Sequence, residues 1–430
     1  MSDNTGILDN MSHMEKKKLR NRQRRMEERC CAALTAEAFF IAISPTAASL
    51  ALLAGVFFWL WRWNRDPEFH FRRLPYDVPV FIFIIVSAVS VFASPDPAFS
   101  FYNYYHLVGA YAGTYFLAGQ TLRTEAQLRR VLKALGWSAF ITVLYGFYQF
   151  SFDIDPADVK WVDADAFPDL KRRVFSTWEN PNIFAGYLGE AIAFVLAFLP
   201  ESDVERRRKI VAALVALSAC LAMTYARGAC LAVLIVASGY GAVRERRILA
   251  GVATIGVIFL LLSPTLAERI FSVFTKIDTS SEMRLAIWES SVAMIMDHPL
   301  VGIGWGAYWM VYPEYDFYIN DASVRIFHAH NMYLNYAAEI GAVGAAAFFW
   351  LFFGTMITAF RASVAEENTL VRRVNLGWGL ALLTVALGGI TDDVVFNFPT
   401  SLLLWMGFGL STASHGIFEK GDGKSQKMWE

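Results

Sequence analysis

Charge is scarce in this chain: Asp, Glu, Lys and Arg make up 18% of its 430 residues, where a soluble protein of this length carries about a quarter. Cysteine is scarcer still. Cys30, Cys31, Cys220 and Cys230 all sit in or beside apolar segments, which argues against a disulfide framework or a zinc site. No extended basic block is present; the short Lys/Arg clusters each abut an apolar run, so a nucleic-acid partner is not expected. No His-Glu-x-x-His spacing points to a metal, and no Gly-Lys-Ser/Thr ending points to a nucleotide loop. The basic stretch Lys16–Arg29 runs into apolar sequence without a small-residue cleavage site, so it reads as retained rather than as a secretory leader.

What the chain does have is apolar length, with 56% hydrophobic residues. About 20 apolar residues cross a bilayer, and fewer suffice inside a bundle. Twelve runs qualify: about 30–44, 46–63, 78–94, 101–120, 131–150, 181–199, 210–225, 227–243, 248–263, 332–360, 374–390 and 400–417. The first two meet at Pro45 and read either as a hairpin or as one kinked helix. With a cytoplasmic N-terminus, 29 of the 38 Lys and Arg fall in inner segments and nine outside, as the positive-inside rule requires. A single span over 30–63 would invert every later loop, which favours the hairpin. The expected architecture is an all-α polytopic membrane protein with both termini cytoplasmic. Residues 1–29 form a basic tail, 30–263 hold nine spans with an outer loop near 151–180, 264–331 form a large extracytoplasmic loop, 332–417 hold three more spans, and 418–430 form a second tail.

The first outer loop is acidic from Asp153 to Asp169 and ends in Lys171-Arg172-Arg173. Ser176 to Asn182 then reads as a helix start, with Asn180 as cap and Pro181 in the first turn. The larger loop contains its own helix signal: Thr279-Ser280-Ser281-Glu282 fits a capping box, followed by Met283–Met296 and a stop at Asp297-His298-Pro299. Aromatics crowd it (Trp288, Trp305, Tyr308, Trp309, Tyr312), a composition that suits a membrane interface or a sugar face equally. Gly302, Gly304 and Gly306 permit close approach of a ligand or of another segment.

Charges at the outer boundary carry the chemistry. Arg227 is placed in the only break between two apolar runs, where a guanidinium requires pairing, water or an anionic ligand; snorkelling at a tight turn is the plainer reading. Arg284 and Trp288 share a face of the loop helix. Arg284 can read a phosphate through its planar fork, or simply pair with Glu282 or Asp278. His330 precedes Asn331 where the tenth apolar run begins, and histidine takes a proton near neutrality with least tuning. His328 is the weaker candidate, since alternation points it elsewhere. Glu37 and Glu190 fall near mid-span and Glu339 in the outer third of its run; intramembrane carboxylates keep a transport reading open.

Taken together, Thr224-x-x-Arg227-Gly228-Ala229, Arg284-x-x-x-Trp288, Asp297-x-Pro299-Leu300-x-Gly302-x-Gly304, Tyr312-Pro313, His330-Asn331-x-Tyr333-Leu334 and Glu339-x-Gly341-x-x-Gly344 resemble the O-antigen ligase/polymerase superfamily. The motifs run from about 175 to 345, and the twelve-run layout resembles that family over nearly the whole chain. The resemblance implies a fold similar to class C glycosyltransferases and transfer of a glycan from undecaprenyl pyrophosphate to an acceptor, lipid A-core or another glycan. The reaction would take place on the outer face of the bacterial inner membrane, with no metal or other cofactor and no nucleotide sugar. It implies that Arg227 and Arg284 hold the donor pyrophosphate, that His330 activates the acceptor hydroxyl, and that Trp288, Asn331 and Tyr333 line the substrate. Polymerases and a bicarbonate-transporter-like branch share these motifs. One evident base and no evident nucleophile imply inversion at the anomeric carbon.

Overall fold

The computed structural model describes residues 13–66, 69–152, 173–200, 202–262, 279–318 and 325–415, and within them every regular element is helical. The acidic stretch 153–169, Asp278 and both chain ends lie outside the described residues. The first helices are α1 (His13–Phe40), α2 (Pro45–Arg65) and α3 (Asp77–Ser90). Then come α4 (Pro97–Asn103), continued through a π-helical turn at Tyr104–Val108 into α5 (Gly109–Thr121), and α6 (Glu125–Phe152). Then follow α7 (Pro181–Leu196), α8 (Val204–Thr224), α9 (Arg227–Arg244) and α10 (Arg246–Leu262). The larger loop contributes α11 (Thr279–Asp297) and the short α12 (Tyr308–Val311), and the chain closes with α13 (Met332–Ala365), α14 (Thr369–Gly388) and α15 (Phe398–His415).

By length and composition, five of these are long and apolar enough to cross a membrane: α2, α6, α9, α13 and α14. The ambiguity at Pro45 resolves as two helices. Ser44 caps α2 by accepting the Ala47 N–H at 3.3 Å, Pro45 starts it, and Gly55 of α2 comes back alongside Ala33 of α1. Proline is favoured in that first turn because its missing N–H has no helical partner there anyway.

The core is aromatic. Trp405 of α15 is fully buried against Phe83 of α3 (ring centroids 5.4 Å), and Tyr336 stacks on Phe348 within α13 (4.0 Å). A second, smaller apolar cluster joins Ile287 and Met294 of α11 to Tyr308, Tyr312, Ile326 and Ala329. The described residues of this segment therefore form a packed unit rather than a linker. It is stitched to α13 by backbone pairing: Ile303 N–H to Ala338 O (2.9 Å), Gly304 N–H to Glu339 O (3.0 Å) and Ala342 N–H to Pro299 O (2.8 Å). Those bonds replace helical ones, because Gly341 adopts φ 66°, ψ −179° and breaks α13 in two. Only glycine takes this conformation readily, and a Cβ there would collide with the Leu300 carbonyl.

Candidate active site

The turn between α8 and α9 sets the first arginine. Tyr225 ends α8 in the left-handed region (φ 54°), Ala226 is extended, and Arg227 opens α9. Its guanidinium therefore leaves from a helix N-terminus, where unpaired N–H groups and the helix dipole already favour an anion. Alongside runs the segment that leads into α7, with Val174 N–H bonded to Met223 O at 3.0 Å. This brings in a residue that sequence reasoning had left in a basic cluster: Arg173 donates from Nε to Thr224 O at 2.7 Å and from Nη2 to Asn182 Oδ1. Asn182 follows the expected start of α7, where Asn180 Oδ1 accepts the Asn182 N–H at 2.8 Å and Pro181 fills the first turn.

Arg284, on the second turn of α11, closes the group. Arg173, Arg227 and Arg284 line one cavity of about 180 Å³, together with Asn182, Ser281 and Asp392. Glycines at 186, 189, 228 and 388 leave room for it. At Gly228 a Cβ would run into the Thr391 hydroxyl, so glycine there eases the close approach of the 391–392 segment. Among the described lining residues, three guanidinium groups and one carboxylate carry the charge.

Asp392 links the cavity to the histidines. Its Oδ1 lies 3.1 Å from His330 Nδ1, and the two side chains retain 18% and 32% exposure. Burial acts to raise the Asp392 carboxyl, but the hydrogen bond from His330 and the charges of His330, His328 and Arg284 outweigh it and hold the group well below the usual carboxylate range. The adjacent Asp393 goes the other way: burial, reinforced by the charge of Asp392, pushes it up to about 7. Next to each other, one carboxylate is held ionised and the other close to neutral.

His328 does not point away. Its ring lies 4.2 Å from that of His330 and stacks on Phe396, and its Nδ1 accepts the His330 N–H at 3.2 Å. Alternation fails here because His330 is itself left-handed, with φ 47°. Burial, with the neighbouring charges of His330 and Arg284, pushes the His328 imidazole down to about 3 against the opposing pull of Asp392. His328, His330 and Asp392 each bring a ligand atom within 4.8 Å of the others, so they are the group that could hold a metal among the described residues. Such an ion would face the charge of Arg284, and His328 already uses Nδ1 for the His330 N–H.

The remaining expected residues stand apart from the cavity lining. Asn331 caps α13, accepting from the Tyr333 and Leu334 N–H groups and donating to Ile390 O at 3.0 Å. Tyr333 donates to Ala386 O at 2.8 Å and stacks on Phe349. Trp288, one turn from Arg284, has its indole N–H buried without a hydrogen-bond partner. Among the described residues the four non-glycine residues with left-handed φ are Ser176, Glu179, Tyr225 and His330; of these Tyr225 lines the cavity and His330 pairs with its Asp392. Strained backbone of this kind gathers at functional sites.

A family model described as O-antigen ligase matches residues 212–349. Over that third of its length the chain is similar to the O-antigen ligase family. That stretch contains Arg227, Arg284 and His330, begins after Arg173 and ends before Asp392. It supports the superfamily that the motifs resemble, and that family implies a ligase- or polymerase-type activity in a membrane protein. No curated protein matches the chain significantly in sequence.

Two members of the constellation escaped sequence reasoning. Asp392 had a legible signal, a pair of adjacent aspartates closing an apolar run, but nothing local couples it to a histidine 62 residues earlier. Arg173 carried only the signal of a basic cluster.

Proposed function

We propose that this protein transfers a glycan from undecaprenyl pyrophosphate to a hydroxyl of lipid A-core or another glycan, on the outer face of the bacterial inner membrane. One observation carries this reading: a cavity lined by three arginines is joined through Asp392 to the imidazole of His330. Arg173, Arg227 and Arg284 would neutralise the donor pyrophosphate, a task that elsewhere falls to a metal ion. With Nδ1 turned to Asp392, His330 presents Nε2 to the acceptor. Asp392 fixes the tautomer and stabilises the imidazolium that forms.

In the transfer, the acceptor oxygen bonds to the anomeric carbon while the carbon–oxygen bond to phosphate breaks. The electron pair leaves on the pyrophosphate and the hydroxyl proton goes to His330. Displacement in one step inverts the anomeric centre. In this reading Trp288, Asn331 and Tyr333 act by supporting Arg284 and the His330 turn. An outward-facing cavity is supported by the charge distribution, since the segments expected on the inner side hold 29 of the 38 basic residues. Polymerisation, with a second lipid-linked glycan as acceptor, uses the same chemistry. Buried Glu37 and Glu190 favour the second class, transport.

The test is purified protein in nanodiscs, supplied with a lipid-pyrophosphate glycan and a choice of acceptors. His330→Gln should lower turnover by roughly 10²–10⁴-fold, the usual worth of a positioned base, with donor binding retained. Near-normal transfer by that variant would reduce His330 to an orienting group. Activity abolished by chelation and restored by a divalent ion would assign His328, His330 and Asp392 to a metal instead.

A further inference from the structure

A second cavity, of about 320 Å³, opens between α7, α8, α9 and α10. Its walls are almost wholly apolar, including Leu196, Leu214, Leu221, Val233, Ala237 and Val252. One end is different: Arg207 and Arg247 line it, and both lean on the same carboxylate, with Glu245 Oε1 at 3.0 Å from Arg207 and 3.9 Å from Arg247. One negative charge shared by two guanidiniums leaves that mouth cationic. The other end reaches Ala222 and Cys230, on either side of the Tyr225–Arg227 turn. Leu221 stands fourteen residues after Arg207 on α8, about 21 Å of helix, which matches one acyl chain.

We propose that this cleft binds an anionic glycerophospholipid, its phosphate on Arg207 and Arg247 and one acyl chain along α8 and α9. Position argues against the prenyl tail of the donor. A lipid whose pyrophosphate fills the arginine cavity would enter the cleft from the Tyr225–Arg227 end and bring no anion to Arg207 and Arg247. A phospholipid of the opposite leaflet supplies both parts, because Arg207 and Arg247 belong to clusters that the charge distribution puts on the cytoplasmic side. The acyl terminus would then pack beneath the turn that carries Arg227, so that lipid composition on one side of the membrane bears on the arginine cavity on the other. Only this last coupling rests on the transferase reading; the binding site itself does not.

The experiment is native mass spectrometry of delipidated full-length protein titrated with phosphatidylglycerol, phosphatidylcholine or undecaprenyl phosphate. Phosphatidylglycerol should bind in a one-to-one complex and outlast phosphatidylcholine. The Arg207→Gln/Arg247→Gln variant should weaken that complex roughly tenfold or more, since each basic side chain near an anionic lipid contributes appreciably. Glu245→Gln should strengthen it, because the competing carboxylate is gone; misfolding cannot produce a gain of binding. Ala237→Trp, which fills the groove, should abolish the complex. Equal retention of phosphatidylcholine, no response to Glu245→Gln, or displacement of phosphatidylglycerol by undecaprenyl phosphate would overturn the proposal. Transfer by Arg227→Lys, measured in parallel, reads the arginine cavity separately.

Discussion

His330 and Asp392 stand 62 residues apart in sequence and 3.1 Å apart in space, with the imidazole Nδ1 facing the carboxylate Oδ1. The pairing makes Asp392 as testable as the histidine. Asp392→Asn keeps the shape but removes the charge and can present an N–H to the ring, favouring the wrong tautomer. Turnover should fall roughly 10²–10⁴-fold, the scale of a lost base, while donor affinity changes little. Wild-type turnover in this variant, measured with saturating donor, would detach Asp392 from the reaction.

The arginines should respond to geometry and not to charge alone. Arg173→Ala, Arg227→Ala and Arg284→Ala should each lower transfer by roughly 10²–10³-fold, the effect of removing one preorganised donor. Lysine variants should be intermediate, because a point charge loses the bidentate fork. Quantitative blots of the membrane fraction control for abundance. Full activity in the three lysine variants would reduce them to ordinary boundary charges.

Asp393 offers a prediction about pH. Its carboxyl is held at about 7 in the fold, against about 3.9 in an unfolded chain. The folded state therefore keeps a proton that the unfolded state releases. The associated stability is fully present below about pH 4 and is lost as pH rises through about 7. Asp393→Asn, isosteric with the protonated acid, should flatten that slope. Thermal midpoints of both proteins across this range check it; parallel curves would show that Asp393 does not titrate there.

Gly341→Ala should cost about 1–3 kcal/mol or more, since alanine at φ 66° is strained and its Cβ meets the Leu300 carbonyl. Gly344→Ala, which has no left-handed φ to strain and whose Cβ would press on the Ile340 side chain instead of on backbone, should be milder. Fluorescence-detected gel filtration after heating ranks the two. A tolerated Gly341→Ala would mean that the break in α13 is not built into the backbone.

Orientation is checked by reporter fusions. Those after Lys209 and after Arg247 should read cytoplasmic, and one within 305–320 should read outside. A cytoplasmic signal from the last would remove the site from the outer face.

Helix positions were largely legible because apolar run length reports burial in a bilayer directly, and the start of α7 followed from Asn180 and Pro181 alone. The break in α13 was not legible. Ile340-Gly341-Ala342 reads as helix, and only its pairing partners at 299–304, far off in sequence, make the left-handed glycine necessary. The site divided along the same line. Arg227 and Arg284 announced themselves as charges at a boundary, whereas Asp392 and the true direction of His328 depended on a left-handed backbone at His330 and on contacts across 62 residues.

The discontinuity at Gly341 also bears on length. An unbroken 34-residue helix would measure about 51 Å, well beyond a hydrocarbon core of about 30 Å. Ending the inner part at residue 342 leaves about 36 Å, which a tilted rod accommodates. The outer nine residues are bonded to the 299–306 loop instead. Thinning or thickening the bilayer should therefore tilt the inner rod while the outer stub, and the histidine turn just ahead of it, stay with the loop. On the proposed function, the candidate site would then be mechanically decoupled from membrane thickness.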